Sequence, residues 1–190
     1  MGKREYRQFQ CWICVVVTAL AVSLIQPVSA AGAQLKHHGL MAAMISKFPP
    51  FAKWPAGTRL RAKKQLSIAV FTKDKSIVEQ FAGTLHRKTL GGIKWTVKQV
   101  ITAEEATKYP IVFFGKDVPE PTDEWYEKLK GEGVLTFGEK AENAARKAVM
   151  NFVISGKKVR FDIHLGVAAK AGVRIAPQLG RVARKVVQDE

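Results

Sequence analysis

Catalysis needs side chains that attack, donate protons, hold a metal or cradle phosphate, at spacings that bring them together. This sequence is poor in such sets. It has no Gly-x-Ser-x-Gly elbow, and the serines beyond the first thirty residues are only Ser46, Ser67, Ser76 and Ser155. Gly131-Glu132-Gly133 lacks the third glycine of a dinucleotide loop, and Gly115-Lys116 lacks the upstream glycine of a phosphate-binding loop. No His-Glu-x-x-His zinc motif occurs. His37-His38 is the one histidine pair, but adjacent residues on a helix point apart, so it offers at best weak metal binding. His86 and His164 are isolated, and a lone histidine is more often a surface or core residue than a ligand. Both cysteines, Cys11 and Cys14, fall near the start, so the body of the chain has no thiol chemistry and no disulfide. The expectation is a protein with no catalytic residue, no metal and no cofactor, whose work is binding.

Three features are candidate interaction sites. The first is the aromatic loop 48–55, in which Trp54 stands between a lysine and a proline. Aromatic anchors are enriched at interface hot spots, and the alternative is that Trp54 packs on a sheet edge. The second is the polar stripe Arg160, Asp162 and His164, which alternates with apolar residues. The third is the basic set Arg181 and Arg184, with Lys185 beside them and Arg174 nearby. A stripe or helix face of this kind is more often simply solvated, and that reading stands beside the functional one for both.

The elements that must position these residues follow from hydrophobic period and from caps. Leu40, Met41, Met44, Ile45 and Phe48 form one stripe of a helix over 35–48, which Pro49-Pro50 ends. Residues 66–71 read as a buried strand. Asp74 caps a helix with the stripe Ile77, Val78, Phe81, Ala82 and Leu85. Gly91-Gly92 turns the chain into an alternating strand with Ile93, Trp95 and Val97. A single helical turn over 104–108 precedes the apolar run Ile111-Val112-Phe113-Phe114, which suits a central parallel strand. Thr122 caps a helix bearing Trp125, Tyr126 and Leu129, and a strand over 134–137 follows. Residues 139–147 read as a weak helix. Residues 149–154 and 158–165 form a β-hairpin around Ser155-Gly156. A short helix over 166–171 ends at Gly172, and Pro177 opens a final helix with Leu179, Val182, Ala183, Val186 and Val187 buried. The alternation implies a single-domain α/β protein: a central, mostly parallel, mixed β-sheet flanked by helices, with a C-terminal β-hairpin and helix.

Residues 1–30 stand apart from that domain. Lys3, Arg4 and Arg7 precede an apolar run over 11–25, and Val28-Ser29-Ala30 supplies small residues for cleavage. These are the three parts of a secretory signal peptide. The run is shorter than the ~20 residues a spanning helix needs, which disfavours a membrane anchor, and cleavage is expected after Ala30. The domain is then 31–190, in the periplasm. The full chain of 190 residues has 31 basic against 16 acidic residues, a net charge of +15, and the part beyond the leader stays strongly basic. An exported protein rarely meets nucleic acid, so the partners left are anionic head groups, acidic polymers or the acidic face of another protein.

In order, Phe51-Ala52-Lys53-Trp54-Pro55, Leu66-Ser67-Ile68-Ala69-Val70-Phe71, Ile111-Val112-Phe113-Phe114, Val134-Leu135-Thr136-Phe137, Met150-Asn151-Phe152, Val159-Arg160-Phe161-Asp162-Ile163-His164-Leu165, a Lys-Ala-Gly turn and Arg174-Ile175-Ala176-Pro177-Gln178-Leu179 resemble the YfiR-like family of periplasmic proteins. The resemblance runs over about 40–187. It implies an α/β sheet flanked by helices. It also implies a soluble periplasmic repressor acting on the sensor region of an inner-membrane diguanylate cyclase, which lowers cyclic-di-GMP and biofilm formation. An outer-membrane lipoprotein sequesters such a repressor, and dimers are known, which admits a homodimer here. The chain departs from the family pattern in lacking cysteines beyond the leader. It also has Lys147-Ala148 in place of a glycine pair, and Ala176-Pro177 in place of a Ser-Ser-like pair. The alternative from the residues alone is a periplasmic binding module for a small anionic ligand or an envelope polymer; an unrecognised enzyme ranks third.

Overall fold

The computed structural model describes residues 30–56, 65–86, 94–139, 147–156 and 158–188. Residues 1–29, the Gly91-Gly92 turn with Ile93, and residues 140–146 of the expected helix over 139–147 lie outside the described residues. The chain divides into two compact units, Met1–Gly32 and Ala33–Glu190, and the architecture that follows is that of the second.

Among the described residues its centre is a seven-stranded sheet. In spatial order the strands are β3 (Lys94–Val100), β2 (Gln65–Phe71), β4 (Ile111–Phe114), β5 (Leu135–Glu139), β6 (Met150–Ser155), β7 (Lys158–His164) and β9 (Lys185–Val187). The first five are mutually parallel, with Ile68 opposite Ile111 and Ile111 opposite Leu135. β6 and β7 form the antiparallel hairpin, with Phe152 opposite Phe161. β4 is buried along its whole length, so it carries no polar alternation. β3 is an outer strand and keeps Lys94 and Lys98 exposed, which discourages edge pairing with another chain.

The strands present alternate residues to two apolar layers. On one face α1 (Ala30–Lys47) and α2 (Lys75–Leu85) bury Met41, Ile45, Ile77, Phe81 and Leu85 against Ile68, Val70, Phe113 and Phe137. On the other, α3 (Ala103–Ala106) and α4 (Asp123–Lys128) bury Ala106 and Trp125 against Ala69, Val112 and Phe114. Ring pairs run within each layer. Phe81 lies 4.6 Å from Phe113, Phe48 meets Phe137 edge-on at 5.3 Å, and Phe114 meets Trp125 edge-on at 5.5 Å. The expected caps form. Asp74 Oδ1 accepts from the Ser76 N–H at 2.8 Å, and Thr122 Oγ1 from the Trp125 N–H at 3.3 Å. A short helix α5 (Leu165–Lys170) follows the hairpin.

Two elements differ from the sequence reading. The loop after Pro49-Pro50 is partly a strand, β1 (Ala52–Lys53), paired antiparallel with β8 (Arg174–Ile175). The final helix is only four residues, α6 (Pro177–Gly180), and the chain then turns into β9, parallel to β7. The expected buried stripe is not buried as a set: Leu179 is, but Val182 is 69% and Val186 37% exposed. The reason is non-local. The outer edge of β7 has backbone N–H and C=O groups to satisfy, and the β-branched Val186 and Val187 suit a strand better than a helix.

Candidate functional site

The β1–β8 junction gathers two of the sequence-predicted residues. Lys53 pairs with Arg174, and the Ala176 N–H donates to the Phe51 carbonyl at 2.8 Å. Around them lies an open depression of about 610 Å³ lined by Phe51, Lys53, Arg174, Ala176, Pro177 and Gln178. Lys53 and Arg174 are both exposed. Trp54 is half-buried and packs against the larger apolar layer, with no acceptor for its shielded ring N–H among the described residues. The exposed aromatic at this place is Phe51, at 36%. Sequence reasoning missed it, although Pro-Pro-Phe is the signal: the prolines form a 3-10 turn, Pro49–Phe51, that holds Phe51 outward.

The polar stripe and the basic C-terminal set meet each other. Arg184 donates from Nε and Nη2 to the two Asp162 carboxylate oxygens at 2.8 and 2.6 Å, and its backbone N–H donates to the Phe161 carbonyl at 2.8 Å. Asp162 is buried, so the bidentate pair clips the C-terminal segment onto β7. Arg160 and Arg181 remain exposed. His164 is half-buried and lines a separate cleft beside α4 and α5.

Sequence reading did not find two further polar clusters. His38 on α1 and Glu139 at the end of β5 are both buried, and His38 Nε2 lies 2.7 Å from Glu139 Oε2. That contact engages a nitrogen of the His37-His38 pair considered for metal. Among the described residues no group of three or more His, Cys, Asp or Glu is placed to hold a metal ion.

The second cluster sits at the topological switch point, where β2 sends α2 to one face and β4 sends α4 to the other. Folds of this kind bind anionic ligands in that crevice. Here Asp117 occupies it. Its carboxylate accepts from Thr72 Oγ1 at 2.8 and 3.0 Å and from the Lys73 N–H at 2.6 Å. Gly115 is required beside it, because a Cβ there would collide with Asp117 Oδ1. The N-terminus of α2 is taken by Asp74, whose carboxyl is held below its usual range by hydrogen bonds from Ser76. Among the described residues, the chain's own carboxylates, Asp117 and Asp74, thus take the Thr72, Lys73 and Ser76 donors there.

Comparison with known proteins adds the family. No curated protein matches the chain. Among solved structures, a conserved domain protein from Vibrio cholerae O1 biovar El Tor str. N16961 is 11% identical with a TM-score of 0.48, over 79% of this chain and 60% of that one. An ABC domain in complex with L-Trp from Streptococcus pneumoniae is 10% identical with a TM-score of 0.46, over 79% of this chain and 62% of that one. The chain therefore spans about 60% of the length of these structures. Among the described residues no helix is long and apolar enough to cross a membrane. Residues 38–184, which take in both apolar layers, the β1–β8 junction and the Asp162–Arg184 clip, match the YfiR/HmsC-like family, and the chain belongs to it.

Proposed function

We propose that residues 1–30 export the chain to the periplasm. There the domain 31–190 docks on the sensor region of an inner-membrane diguanylate cyclase and holds it inactive, lowering cyclic-di-GMP and biofilm formation. Family membership over residues 38–184 supports this reading. The observation that carries the docking site is the β1–β8 surface, where Phe51 stands exposed beside the paired cations Lys53 and Arg174. An aromatic anchor with a cationic rim suits an acidic partner face, and the basic surplus that residues 31–190 retain favours the same encounter. Arg160 and Arg181 extend the basic surface. Arg184 and Asp162 serve it indirectly, by fixing the C-terminal segment. Release by an outer-membrane lipoprotein and self-association as a homodimer belong to the same reading.

Repression of this kind needs no bond-making. It needs tighter binding to one receptor conformation than to the other. A differential of about 3 kcal/mol shifts the receptor more than ~100-fold. The test is capture of a diguanylate cyclase from solubilised inner membranes by the wild-type chain and by Phe51→Ala and Arg174→Glu. The wild type retains the cyclase and the variants lose it, while deletion of the gene raises cyclic-di-GMP and biofilm. If deletion changes neither and no cyclase is retained, the reading is wrong.

A further inference from the structure

A second concave site shares no lining residue with the β1–β8 depression. It is a cleft of about 540 Å³ between α4, the start of β5 and α5, within the size range of small-molecule pockets. Leu129, Val134, Val167 and Ala171 give it an apolar floor. Around that floor stand Lys130, Lys147, Lys170 and His164.

The frame is rigid. The Gly131 N–H donates to the Lys170 carbonyl at 3.0 Å and the Gly133 N–H to the Ala171 carbonyl at 2.8 Å. These bonds strap the turn after α4 to the end of α5 and bring the backbones of Lys130 and Lys170 side by side. Gly172 holds the approach at φ +78°, and a Cβ there would press on Gly131 Cα at 3.3 Å.

Thr136 lies on the wall, 3% exposed. Its hydroxyl oxygen accepts the Val149 N–H at 3.1 Å, which leaves its own proton to donate. Asp123 and Glu127 also line the cleft, but each pairs with a lysine of the rim, Lys147 and Lys130, through mostly exposed side chains. Such pairs are weak and exchange readily for a ligand. Lys170 and His164 have no ion pair among the described residues.

We propose that this cleft binds a small organic anion, a carboxylate head on an apolar body. The head sits on Lys130, Lys170 and the Thr136 hydroxyl, and the body lies on the Leu129, Val134 and Val167 floor. This inference is independent of the docking reading, which uses Phe51 and Arg174, neither of which lines this cleft.

Benzoate titrated into the ¹⁵N-labelled full chain tests it by NMR. Saturable shifts are expected at the amides of Gly131, Thr136, Val167 and Ala171. Benzyl alcohol, which lacks the charge, and inorganic phosphate, which lacks the apolar body, bind at least about tenfold more weakly. The double variant Lys130→Gln/Lys170→Gln changes only exposed side chains and lowers benzoate affinity about tenfold or more with an unchanged unfolding midpoint; Thr136→Val lowers the affinity too, and also lowers the midpoint because the buried Val149 N–H loses its acceptor. The proposal is overturned by absence of saturable shifts at those amides, by equal binding of benzyl alcohol or of phosphate, or by undiminished affinity in the double variant. None of these results touches cyclase capture, so the two readings fail separately.

Discussion

Arg184→Ala is the perturbation that most directly separates a structural from a docking role for the C-terminal cations. In the wild type, Arg184 covers both carboxylate oxygens of Asp162 at 2.8 and 2.6 Å. The Asp162 side chain is 13% exposed and that of Arg184 34%. A fully buried pair loses ~3–5 kcal/mol when one partner is removed, because the other charge is left desolvated. Arg184 keeps about a third of its contact with water, so the cost here is discounted to about 2 kcal/mol. That corresponds to a fall in Tm of about 4–8 °C for a domain of this size.

Urea unfolding of Arg184→Ala, Asp162→Ala and the double variant gives the coupling. The double variant should be no worse than the poorer single one, a coupling of about 1–2 kcal/mol. Hydrogen exchange of the β9 amides, Lys185–Val187, should accelerate in either single variant, since the clip holds that strand on β7. If Arg184→Ala costs less than ~0.5 kcal/mol, the size of an ordinary surface change, and β9 exchange is unaltered, the clip does not hold the segment. A direct role for Arg184 at a partner would then replace the structural one.

Other perturbations test other parts of the fold. His38→Ala leaves the buried Glu139 carboxylate without its partner and should cost about 1–3 kcal/mol in denaturant unfolding, more than the paired apolar replacement His38→Leu/Glu139→Leu. Gly115→Ala pushes a methyl onto Asp117 and toward Thr72 Cβ at 3.1 Å; it should lower stability by about 1–3 kcal/mol, and Asp117→Gly should largely relieve the clash. Asp74→Ala removes the α2 cap and should cost about 1 kcal/mol at neutral pH. The Asp74 carboxyl is held below its usual 3.8 by the Ser76 hydrogen bonds, so its contribution is present above the unfolded value and is lost as pH falls through the folded one. The gap between wild type and Asp74→Ala in acid unfolding should therefore close below that value.

What could be read in advance was local. Asp74 and Thr122 were legible as caps because a cap bonds to an N–H two or three residues on. The Ser155-Gly156 hairpin was legible because its strands adjoin in sequence and Gly156 takes φ +58°. The run Ile111-Val112-Phe113-Phe114 was legible as a central strand because only burial on both faces accounts for four consecutive apolar residues. The C-terminal helix was misread for the opposite reason. Leu179, Val182, Ala183, Val186 and Val187 fit a helical period, but the open edge of β7, about twenty residues back, supplied backbone partners that outweighed it.

The amino-acid sequence by itself determined the α/β class, the order of the parallel strands and their flanking helices, the strongly basic charge, and the absence of cysteine after Cys14. Each of these rests on composition or on contacts a few residues apart. Tertiary structure alone decided which polar residues meet. His38 finds Glu139 across 101 residues, Thr72 finds Asp117 across 45, and Asp162 finds Arg184 across 22. Those partnerships depend on which strands lie side by side and which edge the C-terminus covers, and long-range packing, with no period of its own, leaves no mark in a single sequence.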